Sequence, residues 1–254
     1  MLLAIDVGNT SIKLGLGDDK GNLVWDHKAR RPEPSLEEIN GLLRQAKLRS
    51  HDTIRLAFVA SVVPDLVEPV RIALEFLVGK KYAFLNAANA PGLKIAYETK
   101  DTLGADRIAN ALYLAQLEKK PAIAVDFGTA TKLDVVDTSG TYLGGAILPG
   151  LKMMIDGLAR GTAQLPEIEI EIPKKAIGRS TQTSIQSGTV LALSKAVEGL
   201  LEEFQNELGV RAEIIGTGSL AKEMTPICPS IAKTKESMTL CGLLIAARRW
   251  ALPG

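Results

Sequence analysis

Short apolar runs rich in Val, Ile, Leu and Ala alternate along the chain with longer stretches in which apolar residues recur every three or four positions. The short runs predict β-strands within 2–17, 22–26, 53–59, 82–85, 121–127, 132–137, 142–146 and 213–215. The longer stretches predict helices at 36–48, 67–78, 106–118, 151–160, 183–208 and 238–251. Strands that alternate with helices are typical of α/β proteins, and the hairpin-like start of the chain predicts a mixed sheet.

Two segments of the chain repeat each other. The run that ends in Ala4-Ile5-Asp6-Val7-Gly8-Asn9-Thr10-Ser11 matches one that ends in Ala124-Val125-Asp126-Phe127-Gly128-Thr129-Ala130-Thr131. The two aspartates lie 120 positions apart, and each copy continues into a Lys-Leu pair and then a turn. A strand, a glycine turn and a second strand that occur twice predict a duplicated fold with two halves, 1–118 and 119–254.

Each copy contains residue types that can hold a metal-bound polyphosphate. The glycines have no Cβ, so backbone N–H groups beside them can approach phosphate oxygens closely. The aspartates are hard oxygen ligands that suit Mg²⁺. The remaining candidates are one positive charge and four hydroxyl donors, namely Lys13, Thr10, Ser11, Thr129 and Thr131. One copy alone is more simply an ordinary hairpin turn, but two copies that each follow a buried-type strand favour a nucleotide site.

Composition limits the classes of partner. The 254 residues are 46% hydrophobic and 23% charged, which is typical of a globular protein with a substantial core. The net charge is +1 and no basic block stands out, so the sequence predicts no nucleic-acid partner. No apolar run is long enough to predict a membrane span. Cys228 and Cys241 lack metal-site spacing and indicate reduced thiols in a cytoplasmic protein, while only two histidines argue against a zinc site.

The duplicated Asp-x-Gly pattern resembles that of the superfamily of acetate and sugar kinases, Hsp70 and actin. In that superfamily two RNase H-like halves close on ATP, and Gly216-Thr217-Gly218-Ser219 stands where a third glycine-rich element is expected on the adenosine side. Further segments occur in a characteristic order and include Ser61-Val62-Val63-Pro64, Gly104-Ala105-Asp106-Arg107, the run from Leu143 to Leu151, and Gly178-Arg179-Ser180-Thr181. This set is similar to the type III pantothenate kinases over nearly the whole chain.

The resemblance implies a fold, a reaction and a set of site residues. The fold is α/β, with duplicated RNase H-like halves whose mixed five-stranded sheets are flanked by helices. The reaction is ATP-dependent phosphorylation of pantothenate to 4'-phosphopantothenate, which opens coenzyme A biosynthesis. The implied ATP contacts are Asp6, Val7, Gly8, Asn9, Thr10, Ser11, Ile12, Lys13 and Thr129. The implied pantothenate contacts are Tyr97, Gly104, Ala105, Asp106, Arg107 and, from the partner subunit, Thr181, which makes the enzyme a homodimer with shared active sites.

The resemblance also assigns charges and cations. It makes Asp126 the ligand of a monovalent cation, K⁺ or NH₄⁺, and Asp6 a candidate ligand of the Mg²⁺ that accompanies ATP. Asp106 becomes the general base, and Arg107 can pair with the substrate carboxylate in a two-pronged geometry. Without the resemblance, Asp106 is an acid that favours the start of a helix, Tyr97 a partly buried loop aromatic, and Thr181 the N-cap of the long helix.

Three positions depart from the family pattern. Lys132 stands where the family commonly has a hydroxyl or small residue, Lys100 replaces a common Pro, and Ser219 replaces the second Gly of a Thr-Gly-Gly. Strand alternation alone leaves open whether Lys132 lies near phosphate or points away. None of the three departures removes an acidic residue, so we expect catalysis to be intact. The properties that these departures can alter are ATP affinity and cation dependence.

Other functions remain open at the level of sequence. They are a sugar or acetate kinase on the same fold, a non-catalytic nucleotide-binding regulatory protein, and an actin- or Hsp70-like ATPase. The short chain disfavours the first and the last. The presence of Asp6, Asp106 and Asp126 together disfavours a pure binding module, which needs no base.

Overall fold

The protein is built around two mixed five-stranded sheets. Its structure is a computed structural model that describes residues 1–31, 33, 35–50 and 52–251. The strands are β1 Leu2–Val7, β2 Ser11–Gly17, β3 Leu23–Arg30, β4 Leu56–Ser61, β5 Tyr82–Phe84, β6 Ala122–Phe127, β7 Ala130–Val136, β8 Tyr142–Pro149, β9 Glu213–Thr217 and β10 Lys233–Thr234. The order is β3-β2-β1-β4-β5 in one sheet and β10-β9-β6-β7-β8 in the other. The predicted fold class, with helices flanking each sheet, is confirmed.

Helices account for most of the remaining regular structure. They are α1 Leu36–Arg49, α2 Pro64–Val78, α3 Ala105–Leu114, α4 Leu151–Gly161, α5 Thr181–Gln186, α6 Ala192–Leu208, α7 Ala221–Met224 and α8 Met238–Ala251. A π-helical turn, Ser187–Leu191, joins α5 to α6, so the predicted long helix is continuous but locally widened. Across the described residues, no helix combines the length and the apolar character that crossing a bilayer requires.

The first sheet starts with an antiparallel meander and continues in parallel. β1 pairs antiparallel with β2 and parallel with β4. Alternate residues of β2 enter a core that α1 and α2 cover, with Ile12, Leu14 and Leu16 at most 1% exposed. The opposite face of the sheet packs on α3 and α8, so β1 is buried along its whole length.

The second sheet repeats this arrangement in its own residues. β6 pairs antiparallel with β7 and parallel with β9, and one face carries a core that α4, α6 and α7 complete. The duplication extends to the pairing register, because Asp6 lies opposite Lys13 in the first hairpin and Asp126 lies opposite Lys132 in the second. The repeat seen in sequence therefore corresponds to a repeated strand-turn-strand structure.

Several element boundaries differ from those predicted. α3 ends at Leu114 rather than near 118, because the chain turns before the second sheet. β3 runs on to Arg30, where polar and apolar residues alternate on a strand with one exposed face. β10 and α7 were not predicted, since two and four residues are too few to show a periodic pattern.

The chain forms two compact units that are not continuous in sequence. One unit comprises 1–117, 140–143 and the segment that begins at Ser237 and carries α8; the other comprises 118–139 and 144–236. The last helix thus packs with the first unit, although the predicted halves 1–118 and 119–254 assign it to the second. The division into halves 1–118 and 119–254 follows the duplication in the sequence, and it stays a prediction.

Candidate functional site

The first hairpin places a carboxylate beside an ammonium group. Asp6, in β1, is 8% exposed, and the Nζ of Lys13 lies 3.2 Å from its Oδ2. The Gly8 N–H donates to the Ser11 carbonyl at 2.9 Å, which closes the turn. The side chains of Asn9 and Thr10 are exposed at its tip. The Gly8 N–H is thus engaged within the turn, whereas the side chains at the tip are open to a ligand.

Two predicted ATP contacts of this hairpin lie in the core. The side chains of Val7 and Ile12 are at most 1% exposed and pack among the apolar residues between the sheet and helices α1 and α2. They can offer a ligand only their backbone groups. Their role is to fix the turn that presents Gly8, Asn9, Thr10 and Ser11.

The second hairpin repeats the charge pair. Asp126 is also 8% exposed, and the Nζ of Lys132 lies 3.2 Å from its Oδ2. Thr129, at the tip, is exposed. Lys132 therefore lies on the same side of the sheet as Asp126, and its proximity to a phosphate stays a prediction.

The end of β9 comes against the other oxygen of Asp126. Gly218 has φ +92°, and a Cβ there would lie 2.4 Å from Asp126 Oδ1 and 2.6 Å from the Phe127 carbonyl oxygen. The backbone N–H of Leu220 donates to that carbonyl at 3.1 Å. Only glycine fits at 218, so the Gly-Thr-Gly-Ser segment packs directly on the second Asp-x-Gly turn.

Two further glycines let the backbone approach this hairpin. A Cβ at Gly145, where φ is +151°, would lie 1.7 Å from the Leu133 carbonyl oxygen, and one at Gly150 would lie 2.2 Å from that of Thr129. The segments Gly144-Gly145 and Leu148-Pro149-Gly150, which belong to the family-like run from Leu143 to Leu151, therefore hold the turn in place.

The predicted substrate segment begins α3. Gly104 precedes the helix, and Asp106 stands half-buried in its first turn with Oδ1 accepting the N–H of Arg107 at 2.9 Å. A Cβ at Gly104 would come within 2.7 Å of that same Oδ1. The glycine thus leaves room for the carboxylate. Both interpretations of Asp106 remain compatible with this position, because it lies at a helix start and its carboxylate borders an open glycine.

Arg107 lies between two tyrosine rings. It is 5% exposed, and its guanidinium carbon is 5.9 Å from the ring centre of Tyr97 and 5.8 Å from that of Tyr142. Sequence reasoning chose Tyr97 but missed Tyr142, which the pairing of residues 94–96 with 142 brings alongside. Such aromatic faces stabilise a cation that has lost most of its water. The arrangement orients a fixed positive charge that can receive a carboxylate.

Helix α8 supports the segment from behind. The Thr239 hydroxyl donates to Asn110 Oδ1 at 3.0 Å, and both side chains are buried. A Cβ at Gly242 would lie 1.8 Å from the Ala109 carbonyl oxygen, so the backbones of α8 and α3 are in direct contact. Nothing in the local sequence of α3 revealed this support, because the contacting residues lie more than 100 positions away.

Thr181 is the first residue of α5 and is exposed. The N-cap is its neighbour Ser180, whose Oγ accepts the Thr183 N–H at 3.2 Å while the Thr183 hydroxyl oxygen accepts the Ser180 N–H at 3.0 Å. The prediction that Thr181 is the N-cap of this helix is therefore wrong by one residue. Its side chain is available to a ligand or a partner.

Carboxylates that could bind a metal ion and thiols that could act as nucleophiles are both present in this chain. Across the described parts of the chain, no three His, Cys, Asp or Glu residues gather as a metal cluster. Proteins commonly bind Mg²⁺ through one carboxylate together with phosphate oxygens of a ligand. Cys228 and Cys241 are buried free thiols, and burial raises the pKa of the Cys228 thiol, which disfavours a nucleophilic role.

Comparison with known proteins gives a consistent result. The family model described as type III pantothenate kinase matches residues 2–203. A type III pantothenate kinase of Thermomicrobium roseum is 35% identical over 253 residues, which cover 98% of this chain and 97% of the relative.

Two solved structures show a similar fold. One, described as a conserved putative Baf family transcriptional activator from Campylobacter jejuni, has a TM-score of 0.60 at 17% identity and covers 94% of each chain. A ROK family glucokinase from Streptomyces griseus, in complex with glucose and AMPPNP, has a TM-score of 0.56 at 14% identity and covers 97% of each chain. At these identities the likeness concerns the fold alone.

Proposed function

This chain belongs to the type III pantothenate kinase family, and we propose that it transfers the γ-phosphoryl group of ATP to the primary hydroxyl of pantothenate. The product is 4'-phosphopantothenate, and the reaction is the first step of coenzyme A biosynthesis. The single observation that carries the assignment to this site is the sequence Gly104-Ala105-Asp106-Arg107, which sets an acid and a buried arginine side by side at the start of one helix.

Arg107 binds the carboxylate end of pantothenate. Its guanidinium is held between Tyr97 and Tyr142, so its donor fork has a fixed orientation before the substrate arrives. A guanidinium group with a fixed orientation loses little conformational freedom when it pairs with a carboxylate. Burial of the Arg107 side chain strengthens this pairing. Lysine, a point charge on a flexible stem, would not reproduce it.

Asp106 accepts the hydroxyl proton as the phosphoryl group arrives. Phosphoryl transfer passes through a loose transition state with little bonding to the attacking oxygen, so a carboxylate is basic enough for this role. The hydrogen bond from the Arg107 N–H occupies part of Oδ1 and orients the carboxylate. Positioning, together with charge neutralisation on the phosphates, supplies most of the rate.

Each hairpin offers polar groups that suit the phosphates of a nucleotide. Asn9, Thr10, Ser11 and Thr129 offer exposed or half-buried polar side chains to phosphate oxygens, and Lys13 adds a positive charge. Asp6 would hold the Mg²⁺ ion that accompanies ATP, and that ion would neutralise charge on the phosphates.

Asp126 is the protein ligand of a monovalent cation, K⁺ or NH₄⁺. The donor atoms suit such an ion, because Asp126 Oδ1 and the Phe127 carbonyl oxygen lie close together against Gly218. Carboxylate and carbonyl oxygens are the ligands that hard cations prefer. A bound cation would add positive charge near the nucleotide phosphates.

The assignment is tested by product analysis with a panel of acceptors. Purified protein is incubated with ATP, Mg²⁺ and K⁺ and with pantothenate, glucose, N-acetylmannosamine or acetate in turn, and products are identified by mass. We expect phosphorylation of pantothenate alone. A phosphorylated sugar or acetate would instead support a sugar or acetate kinase, and nucleotide binding without any product would support a regulatory protein.

We further propose that the working unit is a homodimer whose partner subunit contributes Thr181 to each pantothenate site. The support is the exposed position of Thr181 at the start of α5, where its hydroxyl is free to serve another surface while Ser180 caps the helix. A two-fold axis would create two equivalent shared sites. We place this dimer in the cytoplasm, where thiols such as Cys228 and Cys241 stay reduced.

Mixing two inactive variants tests the shared site. Asp106→Asn and Thr181→Arg should each abolish most activity, but in a mixed dimer one of the two sites receives both intact residues. Activity should therefore return in part after subunit exchange, measured as 4'-phosphopantothenate formed. The control mixes Asp106→Asn with the double variant Asp106→Asn/Thr181→Arg, which never yields an intact site. Absence of recovery after demonstrated exchange, or a fully active monomer in sedimentation, contradicts the shared site.

A further inference from the structure

The charge pair in the second hairpin is built into the strand register. Asp126 and Lys132 are directly opposite each other on β6 and β7, and the distance from Lys132 Nζ to Asp126 Oδ2 is 3.2 Å. Both side chains are largely shielded from water, at 12% and 17% exposure. Because two paired strands fix both backbones, the ammonium group is held near the carboxylate at a high local concentration.

The two oxygens of Asp126 have different surroundings. Oδ2 faces the ammonium of Lys132, whereas Oδ1 faces Gly218, close to the Phe127 carbonyl oxygen. A cation held at Oδ1 therefore shares its carboxylate with a positive charge of the protein itself. Two like charges on one partly buried carboxylate repel each other, and each weakens the binding of the other.

We propose that Lys132 is a tethered cation at Asp126, which weakens the binding of a monovalent cation there and supplies part of its charge. The inference rests on the proposed role of Asp126 as the cation ligand. It makes Lys132 the residue that sets the cation requirement. The protein then keeps most of its activity when K⁺ is scarce, and removal of the lysine creates a strict K⁺ dependence.

The same pair makes a prediction about stability. Removal of Lys132 leaves Asp126 partly buried without its ammonium partner, and an uncompensated buried charge destabilises a fold strongly. A K⁺ ion that binds the carboxylate of Asp126 in place of the lysine restores the lost positive charge and stabilises the folded state by mass action. In the unchanged protein the lysine already fulfils this role, so K⁺ adds little.

The experiment measures thermal unfolding of the full chain against KCl, with tetramethylammonium chloride holding the ionic strength constant. The proteins compared are the unchanged chain, Lys132→Met and the smaller Lys132→Thr. The matched control is Lys222→Met, which removes a lysine of the same unit whose Nζ lies 2.7 Å from Glu236 Oε1 at the surface. Pantothenate phosphorylation is measured in the same buffers.

We expect the Lys132 variants to unfold at a lower temperature without K⁺ and to recover as K⁺ is added. Their half-maximal response should occur at a K⁺ concentration on the order of 10-fold lower than that of the unchanged protein, as expected for a coupling between neighbouring sites. Lys222→Met should follow the unchanged protein at every K⁺ concentration. The activity of the Lys132 variants should fall without K⁺, while the unchanged protein retains most of its rate.

Three results would overturn the inference, and they separate it from the proposed function. Equal K⁺ midpoints in all variants, with a clear K⁺ response, would reject the role of Lys132 and leave Asp126 as the cation ligand. No K⁺ response in stability or activity in any variant would reject the cation site as well. If neither Lys132 variant folds, the test is the activity of the unchanged protein in K⁺-free buffer. Loss of that activity would contradict the role of Lys132 as a tethered cation.

Discussion

Replacement of Asp106 by asparagine lowers the rate of pantothenate phosphorylation by about 10²- to 10⁴-fold, the usual effect of removing a general base. Asparagine keeps the shape of the side chain and can still accept the Arg107 N–H through its amide oxygen, so the start of α3 stays intact. It cannot accept the hydroxyl proton. The rate is measured as 4'-phosphopantothenate formed at saturating ATP and pantothenate.

The control for this prediction is Asp101→Asn. Asp101 is an exposed carboxylate in the short turn Lys100–Thr102, just before the segment, and the same chemical change there should leave the rate near that of the unchanged protein. Unfolding temperature and the affinity for a non-hydrolysable ATP analogue should be unaltered in both variants. A turnover near normal in Asp106→Asn would remove Asp106 from the role of base.

Gly242→Ala is expected to destabilise the protein by about 1–3 kcal/mol or more, the range for an atom forced into a packed interior. The new methyl group would fall 1.8 Å from the Ala109 carbonyl oxygen, which is backbone and cannot rotate away. Helix α8 must then move off α3, and the segment that carries Asp106 and Arg107 loses its support. Urea unfolding measures the loss of stability, and the KM for pantothenate should rise with it.

Gly199→Ala is the matched control. Gly199 lies inside α6, and a Cβ there would meet no atom within 4 Å. Alanine favours a helix over glycine by about 0.5–1 kcal/mol, so this variant should be as stable as the unchanged protein or more so. If both variants had the same stability, the close contact of α8 with α3 would not be a determinant of the fold.

The duplicated hairpins could be predicted because every signal in them is local. An apolar strand, a glycine turn and a second strand occupy consecutive residues, so the sequence contains both the elements and their pairing. The predicted positions of Asp6 and Asp126, and the helix start predicted at Asp106 and found at Ala105, follow from the same short-range patterns. The family resemblance added the chemistry to these positions, since spacing alone leaves Asp106 as an ordinary acid at a helix start.

Other parts of the site depend on contacts between distant residues. Tyr142 reaches Arg107 only because the loop before α3 pairs with the start of β8, and a contact of two backbone hydrogen bonds leaves no periodic signal. The side of the sheet on which Lys132 lies depends on which face is covered, which alternation cannot reveal. The position of Gly218 against Asp126 likewise depends on the pairing of β9 with β6.

The assignment of α8 to the first unit has a consequence for how the chain is made. Leu240 and Leu244 of this helix cover the bare backbone of Gly15 and Gly17 on β2, two residues from the opposite end of the sequence. A ribosome releases the first sheet long before it translates the helix that closes it. Until then the nascent sheet presents an uncovered apolar face, so this unit completes its folding only after α8 has been translated, and a premature stop before Ser237 would leave that face open to aggregation.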